Sequence, residues 1–188
     1  RLCRDWSSDV CSSDLGKGIK KNFIRDILYP MPTIFNDNFM RHIKAEMDDV
    51  DYQYIEKHYP KIGVNYIYDQ MDLDQVKAIL DRYKISSLLF TDSEDSFQYY
   101  PLKELRKHID LCLANGIKIV NLVSEPVKAK EVYSYLYNQE FINELPRSKQ
   151  VYDLKTIHSD ILGGKQGYLF TKEESLENIR EFIANYQR

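Results

Sequence analysis

Two Tyr-x-x-x-Lys spacings are the first candidates for catalytic chemistry in this sequence. On a helix, this spacing places a lysine ammonium group beside a tyrosine hydroxyl, which lowers the pKa of the hydroxyl and suits it to general acid–base catalysis. Pro101 lies between Tyr99 and Lys103, so Tyr99 precedes the helix that would carry the first pair. In the second pair, Tyr168 lies in a predicted strand, whereas Lys172 opens a helix. Neither spacing therefore predicts a catalytic pair.

The other motifs that carry chemistry are absent from the sequence or incomplete. Residues 16–18 are Gly-Lys-Gly, a fragment of a glycine-rich phosphate loop without a third glycine or a preceding strand. No P-loop, CxxC, HExxH or GxSxG motif occurs. The histidines lack the spacing of metal ligands, and we interpret them as surface or packing residues: His42, His58, His108 and His158. We therefore predict no metal site.

The first fifteen residues, RLCRDWSSDVCSSDL, differ in character from the rest of the chain. Residues 5–15 can be back-translated into a nucleotide sequence that resembles a sequencing adapter. We interpret residues 1–15 as an artefactual, disordered segment in which Trp6 is exposed, the alternative being a natural Ser/Asp-rich tail. Residues 16–188 are then the natural chain, and the absence of an initiator Met near Gly16 predicts that an N-terminal portion precedes it.

Composition argues against several classes of function. Outside residues 1–15, Cys112 is the only cysteine, so no internal disulfide is expected and a reducing, cytoplasmic location is predicted. The formal net charge of −3 does not indicate a nucleic-acid-binding surface. No apolar run approaches the roughly 20 residues of a membrane-spanning helix. We expect neither nucleic acid nor a membrane as a partner.

Periodicity and capping signals predict an α/β pattern. Helices are predicted at 20–28, 36–47, 74–83, 101–115, 127–137 and from residue 171 onwards. Strands are predicted at 87–90, 97–100, 117–123 and 167–170, and a loop with one short helix at 48–71. Gly116 is expected to stop a helix in the left-handed conformation, and Thr171 with Glu174 forms a capping box. The strands are too few for a complete doubly wound domain.

The stretch 97–131 resembles the C-terminal half of extended short-chain dehydrogenases/reductases, the NAD(P)-dependent epimerase/dehydratase family that acts on nucleotide sugars. In that family, a motif of the type R-D-[YF]-[IV]-H-V-x-D-L enters a helix, and a strand of the type YNVG and a helix introduced by Pro-Val follow. Residues 98–102 and 104–105 occupy the first motif, and residues 120–123 and 125–127 occupy the second.

Two further segments carry the same resemblance. Gly-Lys-Gly at 16–18, leading into Asn22 and Phe23, is similar to the loop after the family's catalytic Tyr-Lys helix. The tail 152–183 resembles one bacterial subgroup of these oxidoreductases. The fold that the resemblance implies is α/β, an incomplete Rossmann-type chain that supplies the substrate side of an epimerase, dehydratase or reductase.

The resemblance also implies the chemistry of the intact enzyme. A Tyr would act as acid and base, a neighbouring Lys would tune it, and the nicotinamide of NAD or NADP would take hydride from a carbon of a nucleotide sugar. The dinucleotide site and the Tyr-Lys pair are expected upstream of this chain, so the chain alone is expected to be inactive. A homodimer is one assembly that the intact enzyme could form.

On the resemblance, five residues are expected to bind the substrate: Lys20, Asn22, Phe23, Gln98 and Tyr99. In strand 97–100, we expect Gln98 and the neighbouring Tyr99 backbone to face the ligand and Phe97 to pack inward. The structural alternatives are a core position for Phe23, a cap for Asn22, a solvated surface for Lys20 and sheet packing for Tyr99. The alternative function is a non-catalytic α/β carbohydrate-binding or protein-interaction module that uses a surface rich in the chain's 15 tyrosines.

Overall fold

The chain folds into two compact units in the computed structural model, which describes residues 14–15 and 22–186. The outer unit combines the residues up to Leu28 with those from Phe90 onwards, and the inserted unit is Tyr29–Leu89. The sequence predicted a single portion over 16–188, so this division is new information. None of the helices in the described residues is both long and apolar enough to cross a membrane.

The regular elements are short, and the chain has a mixed α/β fold with small sheets. In chain order they are β1 (Asp14–Leu15), α1 (Phe23–Leu28), β2 (Ile34–Asn36), α2 (Asp37–Glu46), α3 (Asp49–His58), β3 (Lys61–Ile62), β4 (Asn65–Ile67), α4 (Leu73–Arg82), β5 (Ser96–Phe97), β6 (Tyr100–Pro101), α5 (Leu105–Ala114), β7 (Val127–Lys128), α6 (Ala129–Tyr137) and α7 (Lys172–Tyr186). Short 3₁₀ helices lie at Ser87–Phe90 and Leu102–Glu104.

The inserted unit has its own sheet and its own core. Its antiparallel strands lie in the order β2–β4–β3, and capping side chains begin two of its helices, because Asn36 and Asp48 accept hydrogen bonds from backbone N–H groups three residues later. Tyr59 is fully buried, stacks on Phe35 at 4.5 Å between ring centroids and donates a 2.6 Å hydrogen bond to the Pro32 carbonyl. The helices and the sheet are thus joined by aromatic packing.

The outer unit contains two small sheets and a long irregular segment. Strand β6 pairs in parallel with β1, and β5 pairs antiparallel with β7. Helix α7 packs against β6, β7 and α6. One hydrophobic cluster of this unit joins a strand, a helix and the irregular segment through Tyr100, Cys112, Leu162 and Leu169.

Two buried carboxylates hold the irregular segment between α6 and α7. Asp95 accepts hydrogen bonds from both terminal nitrogens of Arg147, at 3.1 and 2.5 Å, and from the backbone N–H of Gln150 at 2.7 Å. Asp92 accepts one from the Lys149 ammonium group at 2.5 Å. Backbone groups outside regular structure must find side-chain partners when they are buried, and these carboxylates are such partners.

Asp92 remains ionised to low pH because of these contacts. The backbone N–H of Leu145 and then the Lys149 ammonium group lower the pKa of Asp92 to about 2, against the opposing effect of burial. The folded outer unit therefore holds this proton less strongly than the unfolded chain does. The contribution of Asp92 to stability is complete above about pH 4 and is lost as the pH falls towards 2.

The strand predicted at 117–123 is not formed, and this prediction was wrong. Gly116 does adopt the predicted left-handed conformation, with φ at 67°, and the Ile117 N–H returns to the Cys112 carbonyl to close the end of α5. Ile119 is 76% exposed. A run of β-branched residues becomes a strand only when a neighbouring strand forms hydrogen bonds with its backbone. Here the main backbone hydrogen bond from the irregular segment reaches only the last residue of the run, Val123.

The other predicted strands are shorter than expected or are not strands. Residues 87–90 form a 3₁₀ helix, residues 97–100 are divided between β5 and β6, and residues 167–170 begin in a tight turn. The loop predicted at 48–71 contains α3 and the β3–β4 hairpin. The helices predicted from periodicity are confirmed to within about three residues at each end for α2, α4, α6 and the beginning of α7.

The segment 1–15 is described only at its end. Residues 1–13, with Trp6, and the Lys20 position lie outside the described residues. Asp14 and Leu15 form β1 beside Tyr100 and Pro101, and Leu15 is only 4% exposed. The prediction of a disordered segment without long-range contacts was therefore wrong for these two residues.

Replacing Asp95 should test how far the buried carboxylates support the outer unit. Asp95→Ala removes the buried carboxylate that pairs with the partly exposed Arg147 and leaves the Gln150 N–H without this partner, so we expect a loss of about 1–3 kcal/mol in unfolding free energy. As a control, Asp110→Ala removes the exposed pair between Asp110 and Arg106 and should cost at most about 0.5 kcal/mol. Urea denaturation followed by NMR signals of the outer unit measures both. Equal midpoints for the two variants would contradict the assignment.

Candidate functional site

A cleft of about 410 Å³ opens beside the beginning of helix α7 in the outer unit. One side is Glu125, and the remainder comes from the segment that leads into the helix. The lining residues are Glu125, Gly163, Gly164, Lys165, Gln166, Tyr168, Leu169, Phe170, Thr171 and Glu174. Charged, amide and phenol groups therefore surround an apolar floor.

Backbone hydrogen bonds join the two sides of the cleft. The Leu169 N–H donates to the Val123 carbonyl at 2.8 Å, and the Glu125 N–H donates to the Phe170 carbonyl at 2.8 Å. Gln98 also holds the Glu125 side of the cleft in place, because its amide donates to the neighbouring Ser124 carbonyl at 2.7 Å. The position of Glu125 in the cleft is thus fixed by the backbone on both sides.

A tight hairpin turn forms the far wall. Lys165 and Tyr168 exchange backbone hydrogen bonds of 2.8 and 2.9 Å, and Gln166 and Gly167 between them both have positive φ angles of 56° and 92°, as in a type I′ turn. Gly164 is required for a different reason. A Cβ atom there would lie 2.0 Å from the Tyr168 carbonyl oxygen, so a side chain cannot be accommodated without moving the wall.

Two cleft carboxylates cap the N-terminus of α7. Glu174 and Thr171 form the predicted capping box, with the Thr171 N–H on Glu174 Oε2 at 2.8 Å and the Glu174 N–H on Thr171 Oγ1 at 3.2 Å. Glu125 Oε2 accepts from the Lys172 N–H at 2.9 Å. Because carboxylates already occupy the positive end of the helix, this end does not offer a site for a phosphate group.

The cleft supplies hydrogen-bonding groups and no activated acid or base among its tyrosines. Burial, followed by the hydrogen bond that its hydroxyl donates to Asp153, raises the pKa of Tyr168 to about 12, so Tyr168 is a neutral phenol near pH 7. Lys172 does not assist it, because its ammonium group pairs with Glu131 at 2.9 Å. In the second Tyr-x-x-x-Lys spacing, the lysine and the tyrosine therefore pair with different carboxylates.

The tyrosine and the lysine of the first Tyr-x-x-x-Lys spacing also lie in different environments. Tyr99 is fully buried, and burial, with a smaller effect from Asp26, raises the pKa of its hydroxyl. Lys103 lies on the surface and pairs with Glu181 at 2.5 Å. The lysine therefore does not lower the pKa of this tyrosine.

The described members of the predicted substrate set do not line this cleft. Asn22 caps α1, because its Oδ1 accepts a 2.8 Å hydrogen bond from the Arg25 N–H, and Phe23 packs on Phe141 with ring centroids 5.4 Å apart. Lys20 lies outside the described residues. Asn22 Nδ2 and the Tyr99 hydroxyl are buried and have no hydrogen-bond partner in the described part of the chain.

Gln98 has a structural role where ligand contact was expected. Its Nε2 donates to the carbonyls of Ser124 and Leu154, and its Oε1 accepts from the Leu154 N–H at 2.7 Å. The amide is therefore fully used by the backbone and does not face a ligand. Phe97, expected to pack inward, is only half-buried, because its neighbour Tyr99 takes the interior position.

Sequence reasoning missed Glu125, Lys165 and Gln166 as cleft residues. The signals were present in the paired glycines at 163–164, the Gln-Gly turn and the capping box, but these patterns predict local turns and not which turn meets residue 125. Only the long-range contact between 123–125 and 169–170 reveals the cleft.

The described residues do not fit a metal ion or a dinucleotide. They contain no cluster of three or more His, Cys, Asp or Glu side chains placed to hold a metal. Gly163, Gly164 and Gly167 suggest a glycine-rich loop, but they precede a helix whose N-terminus is closed by Glu125 and Glu174. Those carboxylates would repel the pyrophosphate of a dinucleotide, so this glycine-rich segment does not fit NAD or NADP.

Comparisons with known proteins give no relative. No protein-family model matches the chain, and no curated protein or solved structure is significantly similar to it.

Gln98→Ala should reduce stability because it removes the hydrogen-bond partner of the buried Ser124 carbonyl and of both backbone groups of Leu154. We expect a loss of about 2 kcal/mol or more in unfolding free energy of the outer unit. Gln139→Ala, an exposed change in the same unit, should stay within about 0.5 kcal/mol of the parent. Chemical denaturation of both variants provides the measurement. An unchanged midpoint for Gln98→Ala would mean that its amide is free after all.

Gly164→Ala should displace the far wall of the cleft. The added methyl group meets backbone atoms, and we expect a cost of about 2–3 kcal/mol together with altered amide shifts at 165–170. Gly63→Ala is the control, because φ is positive there but no atom lies near the added methyl group; about 1–2 kcal/mol of backbone strain is expected. NMR spectra and thermal unfolding distinguish the two. Unperturbed shifts at 165–170 in Gly164→Ala would refute the predicted clash.

Proposed function

We propose that this chain is the substrate-side part of an NAD(P)-dependent epimerase, dehydratase or reductase of the extended short-chain dehydrogenase/reductase type, and that the cleft binds the sugar of a nucleotide-sugar substrate. One observation carries the proposal. Two segments that resemble this family meet at the same cleft: 97–131 supplies Glu125, and 152–183 supplies the other lining residues. Two parts of a substrate site would be expected to meet in this way.

The lining of the cleft supports a polyhydroxyl ligand. Glu125 and Glu174 each direct one oxygen to the helix backbone, so the second oxygen of each carboxylate can accept from sugar hydroxyls. Lys165 and Gln166 can donate, and Phe170 provides an apolar face. A volume of about 410 Å³ lies within the roughly 300–1,000 Å³ of typical ligand sites. The carboxylates at the start of α7 favour the sugar over the phosphates.

The mixed α/β fold with small sheets belongs to the same broad class as the Rossmann-type fold that the proposal requires. In this proposal NAD or NADP binds elsewhere in the intact enzyme. Asn22, Gln98 and Tyr99 are not part of the proposed sugar site, because none of them lines the cleft.

A non-catalytic binding module is the second candidate, and the surface of α6 favours it. Tyr135 and Tyr137 are about half exposed, and the Tyr137 ring packs on Tyr133 at 4.9 Å between centroids. Exposed aromatic rings can stack on sugars or anchor a protein partner. This candidate places the ligand on α6 and not in the cleft.

Binding of UDP-glucose, glucose, UDP and NAD⁺ to the chain tests the proposal. We expect UDP-glucose to bind, glucose to compete with it, and neither UDP nor NAD⁺ alone to bind saturably. Glu125→Gln keeps an oxygen for the Lys172 N–H but removes the charge, so sugar affinity should fall roughly tenfold. Glu140→Gln, an exposed change in the same unit, should leave affinity unchanged. Calorimetry or ligand-observed NMR gives the constants.

Two results would overturn the proposal. One is an affinity for UDP-glucose that Glu125→Gln leaves intact but Tyr137→Ala abolishes, which would favour the α6 surface. The other is one-to-one binding of NAD⁺ at micromolar concentration. Sequencing of the source gene adds an independent test, because the proposal requires a G-x-x-G-x-x-G motif after a strand and a Y-x-x-x-K motif upstream of residue 16.

A further inference from the structure

A buried tyrosine–histidine pair lies behind the cleft and is not used by the proposed site. The Tyr100 hydroxyl and His108 Nδ1 are 2.6 Å apart, and the two residues are 3% and 2% exposed. Neither lines the cleft. Burial and the hydrogen bond to Tyr100 fix the orientation of the His108 ring. The groups that contact this ring therefore depend on it for their own position.

His108 supports the backbone immediately before the cleft glycines. It makes a hydrogen bond with the backbone of Leu162 that favours the protonated ring. The Leu162 N–H already donates to the carbonyls of His158 and Ser159, so the partner of His108 is the Leu162 carbonyl. Because the Tyr100 hydroxyl lies at Nδ1, we assign Nε2 as the nitrogen that donates to Leu162 and Nδ1 as the acceptor from Tyr100.

The same pair also contacts the apolar floor of the cleft. The Phe170 ring lies 6.0 Å from the Tyr100 ring and 6.0 Å from the His108 ring, between centroids. Leu162 itself is buried and joins Tyr100 in one hydrophobic cluster. His108 thus reaches the cleft from two directions, through Leu162 to Gly163 and Gly164 and through Phe170.

This arrangement is built for the neutral ring. Burial, and then the Lys107 ammonium group, lower the pKa of His108 below its ordinary 6.5, while Glu104 and the Leu162 backbone oppose the change. Tyr100 faces the ring from β6, and Cys112 is a buried thiol of α5 in the same hydrophobic cluster as Tyr100 and Leu162. The other charged groups of α5, Arg106 and Asp110, pair with each other at the surface. Protonation would place a proton on Nδ1, where Tyr100 now donates, and a charge in the core.

We propose that His108 is a positioning residue whose neutral form holds the Leu162–Gly164 wall in place, so that acidification opens the cleft. Its effect on sugar binding rests on the proposed function, whereas its effect on the wall does not. An opened state in which the ring is hydrated binds the proton more strongly than the closed state. The contribution of His108 to the closed wall is therefore complete above about pH 6.5 and declines as the pH falls below that value.

Amide hydrogen exchange at 162–164 between pH 7.5 and 5.5, corrected for intrinsic rates, tests the positioning role. In the parent chain, we expect protection to fall by up to about tenfold per pH unit below 6.5. His108→Gln keeps a donor for Leu162 but cannot titrate, so protection should become independent of pH. His158→Gln, a change in the same turn, should retain the pH dependence of the parent.

NMR of the His108 ring in the parent chain avoids dependence on any variant. The ring should show the Nε2–H tautomer and should titrate together with the exchange rates at 162–164. A ring that titrates while those amides stay protected would overturn the inference. Glucose affinity that falls with the same pH profile extends the role to binding. If glucose does not bind but the wall still follows the ring, the proposed function fails and the positioning role stands.

Discussion

The contact on which the outer unit most depends is the ion pair between the buried Asp95 carboxylate and the partly exposed Arg147. Between α6 and α7 the chain runs for more than thirty residues with almost no regular hydrogen bonding of its own. Its buried backbone groups need partners from elsewhere, and Asp92 and Asp95 supply several of them while binding Lys149 and Arg147. A charged network of this kind is costly to bury and more costly to break, so it fixes one path for the segment.

The cleft follows from that path. Once residues 143–150 are fastened to 92–95, the chain continues to Leu154, where Gln98 binds its backbone on both the N–H and the carbonyl side. The same amide binds the Ser124 carbonyl, and the adjacent Glu125 meets Phe170. Gln98 therefore holds the wall of the cleft in place, and its amide is used by the backbone. This is a structural role, whereas the motif predicted contact with a ligand.

The carboxylates of the cleft stabilise the beginning of α7, and in the proposed function they also bind the ligand. Glu125 and Glu174 satisfy backbone donors that α7 would otherwise leave open, and this fixes both side chains at the mouth of the cleft. The same capping places two carboxylates at the helix end, where they would repel a phosphate group. In the proposed function, the way in which the helix begins would therefore favour a neutral, hydroxyl-rich ligand.

The sequence by itself determined the features that depend on neighbours within about four residues. Helices α2, α4, α6 and α7, the left-handed stop at Gly116 and the capping box of Thr171 are local in this sense, because helical periodicity and caps act over one turn. Only the tertiary structure decided that 117–123 is not a strand, that Gln98 is a structural residue and that Glu125 faces the 163–171 segment. Those outcomes depend on pairing between residues about thirty to sixty positions apart, whose geometry no local pattern specifies.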